Sequence, residues 1–230
     1  MTQLKTIAVN KHKHPYDTYI GRGSPFGNPF VIGKHGTREY VILKYKLWLN
    51  TQPDLILSIR ELQGQRLGCF CKPEACHGDV LAEIADSKNI KNWFSNMLPM
   101  TPILYQGVTY NTSENFYQAM KLPKDRIDLR QEIALLSPYD AKRAIRDQTK
   151  YKWRDDWTQE ESLKVMEFIL RHKFTFLPYK EMLEMTEDWE ITEFNNWGDL
   201  FWGKDINTRE GENHLGRLLM KIRNNGCYTK

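Results

Sequence analysis

The sequence predicts an α+β chain, with a small α/β domain over residues 1–88 followed by a mainly helical domain over residues 89–230. Three observations carry this. Before residue 88, short strand-like runs alternate with helical patterns, as in a small parallel sheet. After it, apolar residues recur at helical spacing. Between the two, Asp86-Ser87-Lys88-Asn89 is polar, has neither period, and marks the linker.

In the first domain, Thr6-Ile7-Ala8-Val9 is a short strand. Residues 20–30, from Ile20-Gly21-Arg22 to Gly27-Asn28-Pro29-Phe30, form a turn-rich loop. Residues 37–50 and Leu55 to Leu62 fit helices. Arg66 to Cys71 fits a strand, and Asp79 to Asp86 a short helix. In the second domain, Ser113 is placed to cap a helix running to Lys121. Ser137-Pro138 starts another, with proline at the first helical position. A long helix covers 158–173, with Leu163, Met166, Ile169, Leu170 and Phe174 at helical spacing. Pro178-Tyr179-Lys180 begins the next. The last runs from Asn213 to Arg223, with Leu215, Leu218, Leu219 and Ile222 on one face.

Apolar residues make up 40% of the 230, enough for a buried core, and no apolar run approaches the ~20 residues of a membrane helix. The N-terminus lacks an apolar signal-peptide core. The expectation is a cytoplasmic protein with no membrane partner. Residues 1–88 hold 12 Lys and Arg against 8 Asp and Glu, and the rest of the chain 21 against 21, so the net charge of +4 belongs to the N-terminal part. That excess hints at an anionic partner there, against the bland alternative of a solvated surface.

The residues suited to chemistry are scattered over the second domain. Glu114 and Lys121 are seven apart, almost two helical turns, so they project from one face with Gln118 between them. Phe116, Ala119 and Met120 fall on the opposite side. On spacing alone, Glu-Gln-Lys is a solvated face. Asp199 stands among Trp197, Phe201 and Trp202. It is either a second acid or the cap of a turn. Gly211-Glu212-Asn213 precedes a helix, where free amides bind phosphate and Asn213 can cap. Trp157, in Arg154-Asp155-Asp156-Trp157, either stacks on a base or pins the following helix.

Phe94-Ser95-Asn96, the Thr112–Lys121 block, Asp199-Leu200-Phe201-Trp202-Gly203 and the Gly211–Met220 block together resemble the NADAR family over roughly residues 90–224. One departure is Trp197-Gly198 ahead of the aspartate. The resemblance implies action on ribose N-glycosidic bonds, with Glu114, Lys121 and Asp199 catalytic. It places Phe94, Ser95, Asn96, Gln118, Trp157, Trp202, Gly203, Gly211 and Asn213 around the substrate. A carboxylate stabilises charge growing at the anomeric carbon or activates water. A neutral lysine attacks that carbon, or the aldehyde of the opened sugar, as a Schiff base. Which of the two attacks stays open. Two substrate classes go with the family, ADP-ribose on guanine of nucleic acid and phosphorylated riboflavin-pathway intermediates. The basic N-terminal domain favours the first. The rival class is a non-catalytic module that binds ADP-ribose or nucleotide. No cofactor is expected for catalysis.

Cys69, Cys71, Cys76 and His77 are a sufficient ligand set for a structural zinc, but the spacing is compact and adjacent Cys76 and His77 are awkward partners for one ion. The alternative is buried or helix-capping thiols. With Gly27-Asn28-Pro29-Phe30, this Cys-x-Cys…Cys-His-Gly-Asp pattern resembles an uncharacterised domain family over about residues 5–85. Arg22, Asn28 and His77 are expected to converge at a strand end as a nucleotide or nucleic-acid pocket.

Overall fold

The computed structural model describes residues 4–88 and 93–225. Asn89 of the expected linker lies outside the described residues. The elements run β1 (Ile7–Asn10), β2 (Thr18–Tyr19), α1 (Arg38–Leu49), α2 (Pro53–Arg60), β3 (Arg66–Cys69) and α3 (His77–Ala85). They continue as β4 (Pro99–Tyr105), β5 (Val108–Thr112), α4 (Ser113–Ala119), α5 (Ile127–Leu135), α6 (Pro138–Ala144), α7 (Gln159–Lys173) and α8 (Tyr179–Glu184). The last described elements are β6 (Phe194–Asn195), β7 (Lys204–Asp205) and α9 (His214–Asn225). The fold is mixed α and β, and no helix among the described residues is long and apolar enough to cross a membrane.

The chain divides into two compact units, and the division differs from a cut at residue 88. One unit joins residues up to 93 with Met185–Arg217; the other joins Phe94–Glu184 with the chain from Leu218.

In the first unit, β1, β3 and β2 form a parallel sheet in that order, with Ile7 opposite Arg66 and Thr18 opposite Leu67. The central strand β3 is buried from Leu67 to Cys69, as a strand covered on both faces must be. Helix α3 lies against β1 and β3. Gly78 permits this, because a Cβ there would stand 2.6 Å from Ile20 Cδ1 and 2.8 Å from Ala8 Cβ. The segment 185–217 is seated on the N-terminal residues. Trp189 stacks on Phe30 with ring centroids 6.0 Å apart, and Lys44 pairs with Glu187 and Arg209 with Asp54. The short parallel pair β6–β7 belongs to this segment.

In the second unit, β4 and β5 form an antiparallel hairpin that helical periodicity does not announce. Its two-residue loop is Gln106-Gly107, both at positive φ, the geometry that matches strand twist in tight hairpins. Behind it, α4 is surrounded by β5, α5, α6 and α7. Helix α4 is capped by Thr112, not Ser113. The Thr112 hydroxyl accepts from the Asn115 amide at 3.1 Å, and Ser113 is the first, fully buried, helical residue. Ser137 caps α6 as the sequence suggests, with Pro138 following.

Candidate functional site

Every residue of α4 is buried, so its polar stripe is not a solvated face. Glu114 is 6% exposed, Gln118 3% and Lys121 9%. Gln118 sits one turn after Glu114 and donates from Nε2 to Glu114 Oε1 at 2.7 Å. The Glu114 amide donates to the carbonyl of Asn96 at 3.0 Å, which ties the 94–96 loop to the helix start. Two buried acceptors here, Gln118 Oε1 and Asn96 Oδ1, have no hydrogen-bond partner among the described residues. Buried polar atoms are nearly always satisfied, so these two acceptors are open to a donor from water or a ligand.

The helix ends at Ala119, and Lys121 lies just past the C-cap Met120. Its ammonium is 4.5 Å above the Trp153 ring and 5.0 Å from that of Tyr117. Its carbonyl accepts from the Arg154 amide at 2.8 Å, so the 153–154 segment fixes both its backbone and its side chain. Burial pushes Lys121 down from 10.5 to about 8. Glu114 opposes this, while the positive charges of Lys142 and Arg146 assist it. Trp153, Lys142 and Arg146 escaped the sequence reading. The i, i+4 spacing of Lys142 and Arg146 was the signal available for two of them.

The 94–96 loop is held from beneath. Lys173, fully buried at the end of α7, donates to the carbonyls of Phe94 at 3.2 Å and Ser95 at 2.8 Å. The Phe94 ring is itself core, edge-on to Phe174 at 5.6 Å, and the Ser95 hydroxyl accepts from the Met97 amide. Of this block, Asn96 therefore offers the side chain whose acceptor has no partner among the described residues. Trp157 packs edge-on to Tyr117 at 5.6 Å with Arg154 over its ring, and Tyr117 Oη is bonded to Ser162 Oγ at 2.5 Å. It pins the start of α7.

The remaining predicted residues belong to the first unit. Asp199 serves as a turn cap, since its Oδ1 accepts from the Trp202 amide at 2.9 Å while Asn195 holds its backbone on both sides. Trp202 is half-buried beside Phe201, ring centroids 4.9 Å apart. The expected phosphate cradle at the start of α9 is already satisfied by protein. The amides of Glu212, Asn213, His214 and Leu215 donate to the carbonyls of Leu200, Gly203, Phe201 and Trp202. Asn213, at φ 53°, turns its side chain to the 191–193 segment. It accepts from the Glu193 amide and donates to the Ile191 carbonyl. Gly203 and Gly211 are there for close backbone approach: a Cβ on Gly211 would meet the Gly203 carbonyl at 2.2 Å, and one on Gly203 the Glu193 carbonyl at 2.1 Å.

Also in the first unit, a cavity of about 410 Å³ is lined by Arg22, Asn28, Arg38, Cys69, Cys71 and His77, among others. Arg22, Asn28 and His77 thus converge as the sequence implies. Cys76, at the N-cap of α3, accepts from the Gly78 amide at 3.3 Å. The Cys69 thiol is drawn well below its ordinary range, chiefly by a hydrogen bond from Cys76 and with help from His77, against burial. Cys76 is raised, first by that same bond and then by burial.

The model of the NADAR domain family matches residues 79–225, and that of a domain of unknown function, DUF4326, matches residues 5–87. The N-glycosidase YbiA of Escherichia coli is 37% identical over 134 residues, 56% of this chain and 78% of its own length. Its NMR structure aligns with a TM-score of 0.49 and 33% identity, covering 57% of this chain and 76% of that one. A riboflavin biosynthesis protein of Vibrio vulnificus, VVA0006, is 36% identical over 134 residues; the match takes in 57% of this chain but only 34% of that longer protein. An uncharacterized 12.4 kDa protein of phage T4 is 39% identical over 89 residues, 34% of this chain and 75% of its own.

Proposed function

Because the chain belongs to the NADAR family, we propose that it hydrolyses the N-glycosidic bond of a phosphate-bearing ribosyl substrate, and within that class removes ADP-ribose from modified guanine bases of nucleic acid. The coarse reading, a glycosidase, is supported by relatives that are N-glycosidases by name. One observation carries the chemistry: a buried Glu114–Gln118 pair followed by a lysine lowered to about 8. At pH 7 a lysine of that pKa is neutral roughly 300 times more often than one at 10.5, enough to make the amine a usable nucleophile.

When the C1–N bond breaks, its electron pair leaves with the base and positive charge grows on C1. The Glu114 carboxylate, aimed by Gln118, stabilises that charge and passes protons. Lys121 Nζ then bonds to C1, and the C1–O4 bond opens as a proton of the attached amine passes to O4, leaving an imine. Water later hydrolyses the imine, so the net reaction consumes one water. Ribose hydroxyls are donors for the orphaned Gln118 Oε1 and Asn96 Oδ1. The positive field of Lys142 and Arg146 favours a phosphate-bearing substrate. The basic balance of residues 1–88 supports nucleic acid as its carrier.

A second reading, a phosphorylated riboflavin-pathway intermediate as substrate, is favoured by the name of the Vibrio relative. Incubating the full chain with a DNA oligonucleotide carrying ADP-ribosylated guanine, and in parallel with a pyrimidine ribose phosphate, separates them by chromatography of the released sugar. Release from the oligonucleotide at the higher kcat/KM is expected. Cleavage of the pyrimidine compound alone would replace the first reading with the second, and no release from either would remove both.

A further inference from the structure

We propose that Cys69, Cys76 and His77 form a binding site for a zinc-like divalent cation, with the fourth coordination position facing the 410 Å³ cavity of the first unit. Cys69 Sγ, Cys76 Sγ and a His77 ring nitrogen all lie within 4.8 Å of one another, and all three residues are buried. Tetrahedral zinc with Zn–S near 2.3 Å and Zn–N near 2.0 Å sets two sulfurs about 3.8 Å apart and a sulfur and a nitrogen about 3.5 Å apart. Cys76 Sγ and His77 Nδ1 are 3.8 Å apart.

Adjacent residues rarely aim at one point, and the backbone explains how these do. Cys76 is extended, with φ −136° and ψ 142°, whereas His77 is the first residue of α3, so the chain turns between them. His77 Nε2 donates to the carbonyl of Ile20 at 2.8 Å. This fixes the tautomer that leaves the Nδ1 lone pair pointing at Cys76. Metal-bound histidines are oriented in this way by a hydrogen bond from the other nitrogen. The Gly78 amide on Cys76 Sγ is likewise suited to a thiolate ligand. Gly78, by admitting α3 close to Ile20 and Ala8, brings the helix start down to the Cys69 end of β3.

Three protein ligands leave one position open. Cys69 and His77 line the cavity and Cys76 does not, so the open side faces the cavity, towards Arg22 and Arg38. An anionic small molecule entering there would meet the ion and the two guanidinium groups together. Cys71, 3.6 Å from Cys69, half-buried and outside the trio, lines the same cavity.

The test uses the full chain. Elemental analysis after dialysis in metal-scrubbed buffer should find about one zinc per chain. Cys69→Ser and His77→Asn should each cut it at least tenfold, and Cys71→Ser should leave it in place. Cobalt(II) added to the chelator-stripped wild type should give tetrahedral d–d bands with a charge-transfer intensity of two thiolates, a readout that survives if a variant misfolds. Stripped wild type that takes up neither ion, with all its thiols open to Ellman's reagent, would overturn the site. Loss of zinc in Cys71→Ser, with a three-thiolate cobalt spectrum, would overturn the open position.

Discussion

Gln118 Nε2 donates to Glu114 Oε1 at 2.7 Å inside a helix that has no solvent-facing side, while Gln118 Oε1 has no partner among the described residues. One side chain thus aims the carboxylate and keeps an acceptor in reserve. A purely structural glutamine would have both ends engaged. Gln118→Leu should therefore lower kcat and raise KM together, by roughly tenfold or more in kcat/KM, whereas Glu114→Ala should lower kcat by ~10²–10⁴-fold with the circular dichroism spectrum unchanged. Folded Glu114→Ala with near-normal turnover would remove the carboxylate from the mechanism.

Covalent capture is the sharpest test of Lys121. Substrate and borohydride supplied together should leave a stable secondary amine on this residue, visible as a mass increment on its tryptic peptide. Lys121→Arg should form none, because guanidinium stays charged. An untrapped wild type together with an active Lys121→Arg would point to direct attack by water. On the imine route, kcat/KM should climb with pH along a limb centred near the lysine's value of about 8.

The same lysine should cost stability. Burial lowers it from 10.5 to about 8, so between those pH values the unfolded chain holds a proton that the folded chain has released. Stability then rises with pH through that window and is lower, by about 3 kcal/mol, below it. Lys121→Met should be inactive yet melt higher at pH 7, and the gain should shrink towards pH 10.5. Thermal melts across pH decide this; a lower melting temperature at pH 7 contradicts the desolvation argument.

Lys173→Met should act differently. It removes the hydrogen bonds that a fully buried ammonium gives to the carbonyls of Phe94 and Ser95, and should destabilise the fold by about 2–4 kcal/mol. Because Asn96 follows directly, KM should rise in whatever fraction stays folded. Chemical denaturation and steady-state kinetics measure the two effects separately.

Removing the N-terminal part at residue 88 should not yield a well-behaved fragment. Trp189 would lose its stack on Phe30, Glu187 its Lys44 and Arg209 its Asp54. The truncated chain should bind a hydrophobic dye and lose cooperative melting. A cooperative, active fragment starting near Asn89 would restore the simple two-domain picture.

What the sequence made legible follows physical rules. The parallel sheet, α1 to α3 and the Ser137-Pro138 start of α6 rest on local periodicity and capping, which act within a few residues. That Glu114, Gln118 and Lys121 share one face was legible because helical spacing sets it. The hairpin went unseen because Gln106-Gly107 is a weak turn signal beside Asn-Gly. The saturation of the α9 start by carbonyls of 200–203 could not be read, since those bonds depend on how a loop folds back. Nor could the burial of α4, since Glu, Gln and Lys at helical spacing look alike on a surface and in an interior.

Trp153 gives the site an optical reporter. Its indole Nε1 donates to the Ile145 carbonyl at 3.1 Å, which holds the ring steady beneath the lysine ammonium 4.5 Å above it. A cation over an indole perturbs its emission, and a neutral amine does so far less. The chain has seven tryptophans, so the difference spectrum between wild type and Trp153→Phe isolates this one. That difference should titrate with the proton on Lys121 and shift again when the nitrogen becomes part of an imine, making both events visible without a label.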